Sequence, residues 1–324
     1  MTHILRALAA AACLAAHTLA MAAAQPFPTK PVRIIVPFAP GGPTDIVART
    51  VGQQLTVALG QPVVVDNRPG AGGVVGADLA AKSAADGYTL LLCSTGAMAI
   101  NPGLLTSMPY DPVRDLAPIT LVVTIPYLLL VNPAYPAQSV KELLALARAK
   151  PGQLNYGSAG TGTTSHLAME LFRSMAGIQV THVPYKGSAP AATDLVGGQL
   201  QLLFDAPPSS LPFVRSGRLR ALGISTLRRT PLLPDMPTIH EAGVPGYEVL
   251  TWSGICAPAG TPKAVVARLN EAIVQGVTNR ETRDRFAAIG ADVVANSSEE
   301  YRKFILAELA KWSRVIREAG VVAH

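Results

Sequence analysis

The sequence predicts an α/β protein built from parallel βαβ units in two successive sets. Three observations predict it. Short apolar runs alternate with segments of helical periodicity along most of the chain. The 324 residues are 49% hydrophobic and only 15% charged, which gives length for two domains of roughly 100–200 residues and is far too apolar for disorder. A strand, a Gly-rich loop and a helix follow one another near residue 40 and again near residue 160.

The first 24 residues stand apart. Arg6 supplies a positive start, Ala7 to Ala20 is an apolar run, and Ala22-Ala23-Ala24 offers small residues before a cut at Gln25. This pattern predicts a secretory signal peptide over 1–24 and a periplasmic mature protein. Cys13 follows alanines, as in a lipoprotein signal, but its apolar run is too short for that reading. No later stretch has the roughly 18 uninterrupted apolar residues a membrane span needs, and Pro126 breaks the run Leu121–Val131. The balance of 27 Lys+Arg over 21 Asp+Glu gives a net charge of +6. Export and the lack of aromatics interleaved with the basic residues argue against nucleic acid as the partner. Three cysteines exclude a disulfide scaffold and a four-thiolate zinc site.

Val32 to Phe38 reads as a buried strand, and Ala39 to Pro43 as a Gly/Pro loop. Val47, Val51, Leu55 and Leu59 recur every fourth residue, predicting a helix closed by Gly60. Pro62–Asp66 is the next strand, Gly70–Gly76 leads into an Ala-rich helix, and Tyr88–Ser94 is a third strand. The second set follows. Leu121–Val131 is extended, and Ser139 with Glu142 forms a capping box for a helix stopped by Pro151-Gly152. Leu154–Gly157 is a short strand, Ser158–Ser165 a hydroxyl-rich loop, and Leu167, Leu171 and Met175 mark a helix. Val180–Val183, Leu200–Phe204 and Leu219–Ser225 supply further strands. At the C-terminus Thr261-Pro262 predicts an N-cap with Pro at N1, and Ser297 with Glu300 a second capping box.

The two Gly-rich loops are the candidate site. Each joins a strand's C-terminal end to a helix N-terminus, where open α/β sheets bind ligands and where the helix dipole favours anions. Neither loop contains Lys or Arg, which suits a carboxylate held by amides and hydroxyls better than a polyphosphate. The same pattern also serves as an ordinary βα turn. Tighter motifs fail. Gly157 to Gly162 has Walker A spacing but continues with Thr163, position 75 is Val, and no Gly-x-Ser-x-Gly elbow exists. No motif requires a cofactor or a metal. A periplasmic hydrolase is the alternative from another class.

The strings Lys30–Phe38, Pro40–Arg49, Val65–Gly73, Ala85–Leu90, Asn155–Gly160, His166-Leu167, Val183–Gly187 and Ala257–Pro262 together resemble the Bug family. These are extracytoplasmic solute receptors of tripartite tricarboxylate transporters, and the resemblance covers nearly the whole mature chain. It implies a two-lobed, type II-like periplasmic binding protein fold, with two doubly wound α/β domains joined by two crossing segments. Domain 1 would comprise 25–124 plus 252–324 and domain 2 125–251, with crossings near Thr124–Pro126 and Leu250–Ser253. It also implies a monomer that closes on a small organic carboxylate, whether a di- or tricarboxylate, an amino acid or an aromatic acid. Its partner would be a membrane permease, or alternatively a membrane sensor. The ligand would lie between Phe38, Ala39, Gly41, Gly42 and Thr44 on one lobe and Ser158, Ala159, Gly160, Thr161 and Gly162 on the other.

Four further residues are candidates. Asp45 either caps its helix or receives a ligand amine or hydroxyl; Thr44 could cap instead. His166 orients the second loop, with direct ligand contact as the alternative. Tyr185 would wall the cleft beside a solvated Lys186. If Asp205 faces the ligand, it favours an amino or hydroxylated acid over a bare dicarboxylate. Cys93 and Cys256 form a disulfide if their strands are neighbours, and otherwise remain buried thiols. Arg215, Arg218, Arg220, Arg228 and Arg229 form a solvated face or a docking surface.

Overall fold

A computed structural model describes residues 27–321 except 186. The expected leader over 1–24, with Arg6 and Cys13, and the expected charge of Lys186 lie outside the described residues. The first unit opens with β1 (Val32–Val36), α1 (Pro43–Leu59) and β2 (Val63–Asn67). It continues through a tight turn at Ala71–Gly73 to α2 (Val74–Ala81) and β3 (Thr89–Ser94). A π-helical turn over Gly96–Ile100 runs into the short α3 (Asn101–Leu104). Then come β4 (Leu116–Pro126) and β5 (Leu128–Val131). The second unit holds α4 (Val140–Ala149), β6 (Asn155–Ser158), α5 (Thr164–Ala176), β7 (Thr181–Pro184), α6 (Ser188–Val196), β8 (Leu202–Asp205), α7 (Pro207–Arg215) and β9 (Arg220–Ile224). The chain closes with β10 (Leu250–Pro258), α8 (Lys263–Thr278), α9 (Arg280–Ala288), β11 (Asp292–Val293) and α10 (Ser298–Ala319).

Two sheets result, in the orders β11-β4-β10-β3-β1-β2 and β7-β6-β8-β5-β9. The chain crosses between them at Tyr127 and returns between β9 and β10. The expectation of parallel strands holds for β2-β1-β3 and for β7-β6-β8. It fails at β4, β5, β9, β10 and β11, which pair antiparallel. β4 leaves the first unit and β10 re-enters it, so these two neighbours run in opposite directions. β4 and β10, the two crossing strands, pair with each other from Leu250↔Pro126 to Pro258↔Leu116.

Local chemistry explains the element ends. Val47, Val51, Leu55 and Leu59 of α1 are buried, and Gly60 ends the helix at φ +66°. Each such side chain contributes about 1.5–3 kcal/mol through burial. The Ser139 hydroxyl accepts from the Glu142 N–H, and Ser297 with Glu300 forms a full capping box on α10. Thr261 is not the expected cap. Its hydroxyl donates to the Pro258 carbonyl, and α8 starts two residues later. Basic residues of the 215–229 stretch have local work: Arg220 donates to the Ala137 carbonyl, Arg229 pairs with Glu241, and Arg218 lies over the Phe213 ring.

One apolar core runs beneath both sheets. It passes from Leu91, Cys93 and Met98 through Trp252, Trp312 and Ile316 to Leu171, Phe172 and Phe204. The helix α10 carries it across, packing on β4 and α3 in the first unit and on α5 in the second. Buried Glu308 accepts from both indole N–H groups, Trp252 at 2.9 Å and Trp312 at 3.0 Å, and pairs with Lys311. This fixes α10 to β10. Cys93 and Cys256 form a disulfide between neighbouring β3 and β10, with Cα atoms 6.4 Å apart and both residues fully buried.

Candidate functional site

A cleft of about 680 Å3 opens where the two sheets meet. The paired crossing strands line it through Ile125 of β4 and Thr251, Trp252 and Ser253 of β10, with Tyr127 between the sheets. The first loop contributes Phe38, Pro43 and Thr44, and the second Thr161, Gly162, Thr163 and Thr164. The remaining lining comes from Ala71, Gly72, Ser94, Gly96, Ile100, Asn101, Leu104, Leu105 and Ala206. Among the described lining residues none carries a charged side chain.

The first loop is held from behind. Pro43 occupies the first turn of α1, and Gly42 is the N-cap with no side-chain bond. Asp45 is therefore not the cap; it sits three residues into the helix and reaches back. Its carboxylate accepts from the Gly41 N–H at 3.0 Å, Arg49 Nε at 2.8 Å and Asn67 Nδ2 at 2.9 Å. Burial alone would raise this carboxyl, but hydrogen bonds from Arg49, Gly41 and Asn67 outweigh it and hold the group below its ordinary range. With its oxygens so engaged, Asp45 positions the loop and does not line the cleft. Ala39, Gly41 and Gly42 also lie outside the lining, while Phe38 and Thr44 belong to it.

The second loop is also stitched. Buried Ser158 accepts from the Gly160 N–H at 3.1 Å and bonds His182 Nε2 at 2.7 Å. The Ala159 N–H donates to Ser165 Oγ, and Thr163 Oγ1 donates to the Gly160 carbonyl. The Gly162 N–H donates to His166 Nδ1 at 3.1 Å, so the ring proton sits on Nε2. Ser158, Ala159 and Gly160 thus form the rear of the loop, and Thr161 and Gly162 present its front. His166 orients the loop and lies outside the lining. It stacks on His182 with ring centroids 3.9 Å apart, and His182 stacks on Tyr156. Tyr156 donates to Glu170, which pairs with Arg173.

Burial, followed by His182 and Arg173, pushes the His166 pKa down to about 3 from its ordinary 6.5. The folded value lies below the unfolded one, so between these limits the unfolded chain binds more protons. The stabilisation is complete above pH 6.5 and is lost as pH falls through this window, by about 1 kcal/mol per pH unit. Urea titrations of parent and His166→Gln protein should show the parent's advantage shrinking between pH 6.5 and pH 4.5. A constant difference would remove the neutral imidazole from the account.

The other two candidates also fall outside the lining. Tyr185 does not wall the cleft: its hydroxyl donates to Asp194 at 2.6 Å. Asp205 accepts from Ser209 Oγ at 2.6 Å, is 2% exposed, and is pushed up by burial against hydrogen bonds from Ser209, Ser188 and Ala206. Its neighbour Ala206 reaches the cleft instead. Sequence reading missed the contributions of Ser94 to Leu105, Gly72 and Tyr127, and it read Ile125 and Thr251–Ser253 as crossing segments only. The GAGG string at Gly70–Gly73 and the break between two apolar runs at Tyr127 were the available signals.

A model of the family described as tripartite tricarboxylate transporter family receptor matches residues 47–321. The chain belongs to this receptor family. The protein BugT of Bordetella pertussis is 41% identical over 298 residues, covering 92% of this chain and 91% of BugT. Among solved structures, Rpa4515 of R. palustris with adipate is 39% identical with a TM-score of 0.80, covering 91% of this chain and 99% of that one. MatC from Rhodopseudomonas palustris with bound malate is 34% identical with a TM-score of 0.75, covering 90% and 100%. The two-unit α/β architecture is that of periplasmic binding proteins. Family membership also answers the hydrolase alternative: this is a receptor and not an enzyme. Among the described residues, no helix is long and apolar enough to cross a membrane.

Proposed function

We propose that this receptor captures a small organic carboxylate in the cleft between its two units and passes it to the membrane component of a tripartite tricarboxylate-type transporter. The observation that carries the reading is the meeting of the α1 and α5 N-termini at one cleft with no charged side chain in its lining. Unpaired N–H groups and the positive dipole ends attract an anion there. Thr44, Thr161 and Thr164 add hydroxyls. Neighbours that hold adipate and malate support a carboxylate ligand. We assign the protein to the periplasm as a monomer, with lobes 25–124 plus 252–324 and 125–251 closing about the paired strands β4 and β10.

A ligand that binds only the folded state stabilises it by mass action, about 2.7 kcal/mol at a hundred times Kd. A panel of mono-, di- and tricarboxylates should therefore contain acids that raise Tm by several degrees. No shift across the panel, with no acid released from the denatured protein by mass spectrometry, would overturn the reading.

A further inference from the structure

The cleft offers donors for one carboxylate and an apolar wall for the rest of the ligand. We propose that it selects acids with a single ionised carboxylate on an apolar body over dicarboxylates of the same length, with Leu104 and Leu105 as specificity-determining residues. This rests on the cleft being the carboxylate site.

The donor inventory carries the argument. α1 and α5 bring N–H groups and threonine hydroxyls to the cleft. The helix α7, which starts beside the cleft at Ala206, cannot serve a second carboxylate. Its first two residues, Pro207 and Pro208, carry no N–H, and the N–H groups of Ser209 and Ser210 donate to the Ala206 carbonyl at 3.2 and 3.3 Å. Two of the remaining polar side chains are engaged elsewhere. Asn101 Nδ2 donates to the Gly72 carbonyl at 3.0 Å. The Thr251 hydroxyl bonds that of Thr95 at 3.3 Å. Ser94, Ser253, the Tyr127 hydroxyl and the second Nδ2 hydrogen of Asn101 are left, with no cation beside them. Burying a second carboxylate with no cation to pair it is costly.

The body of the ligand meets a different surface. Ile100, Leu104 and Leu105 come from the π-helical turn and α3, and Ile125 and Trp252 from the crossing strands. Leu104 also lies against Gly162 of the opposite unit, so a Cβ at 162 would overlap its Cδ2. It therefore closes over whatever occupies the cleft. An aliphatic chain or a ring gains from this wall in proportion to the area it buries.

Titration calorimetry with hexanoate and adipate separates the possibilities, because the two differ only in the far carboxylate. Hexanoate should bind at least about ten-fold tighter than adipate, a difference of about 1.4 kcal/mol. Leu104→Ala should weaken hexanoate about ten-fold and butyrate much less; Leu105→Ala provides a second, independent reduction of the wall. Adipate binding as tightly as hexanoate would overturn the selectivity while leaving the carboxylate reading intact. Binding of no acid at all would remove both. An unchanged hexanoate-to-butyrate ratio in both leucine variants would overturn the wall.

Discussion

Gly162→Val is expected to abolish carboxylate binding, lowering affinity by at least about a hundred-fold, while the protein stays folded. Two effects act together. Gly162 has φ +76°, a left-handed conformation that costs an L-residue roughly 1–2 kcal/mol and is worse for a β-branched one. The added Cβ would also run into Leu104 across the cleft. Either the loop moves, which breaks the Gly162-to-His166 hydrogen bond and displaces Thr161 and Thr163, or the two units are held apart. Both outcomes separate the two groups of donors that converge on the ligand. Pairing Gly162→Ala with Leu104→Ala removes the collision and keeps the backbone strain, so it should recover part of the affinity. Calorimetry with an acid that binds the parent is the check. Affinity within a few-fold of the parent for Gly162→Val would take this loop out of the site.

Removing the disulfide is expected to have the largest effect on stability. Cys93 and Cys256 are 163 residues apart in sequence, and closing so long a loop restricts the unfolded chain by about 5 kcal/mol in the chain-entropy account. That is comparable with the whole 5–15 kcal/mol by which folded proteins exceed their unfolded states. Both residues are fully buried, so Cys93→Ala with Cys256→Ala leaves no polar atom stranded in the core. The double variant should unfold at much lower urea than the parent. A parent kept in reductant should resemble it once unfolding has exposed the bond. Coincident urea midpoints for variant and oxidised parent would show that the bridge adds nothing.

The regular parts of the fold were legible because they follow local rules. The four-residue spacing of Val47, Val51, Leu55 and Leu59 marked α1, and Ser297 with Glu300 marked the start of α10. Antiparallel pairing of β4 with β10 was not legible, since the partners run from Leu250↔Pro126 to Pro258↔Leu116, far apart in sequence, and neither composition nor period encodes a partner. The site was legible to the extent of two loops. Thr44, Thr161 and Gly162 follow from the rule that strand ends and helix starts bind anions. Asp45, His166 and Asp205 were harder, because a polar residue beside a binding loop can face the ligand or brace the loop. Tertiary partners decide which: Asn67 and Arg49 claim Asp45, Gly162 claims His166, and Ser209 claims Asp205. The Ile100–Leu105 wall carried no signal, since apolar residues of a short helix read as ordinary core.

The core threaded by α10 has a thermodynamic consequence. Two α/β units joined only by crossing strands could melt one after the other. Here Trp252, Trp312 and Ile316 are shared by both, so exposing the apolar interior of one unit strips packing from its neighbour. The receptor should therefore denature as a single cooperative block, with calorimetric and van't Hoff enthalpies in agreement. A ligand that tightens the cleft then protects the entire chain, including strands far from the bound acid.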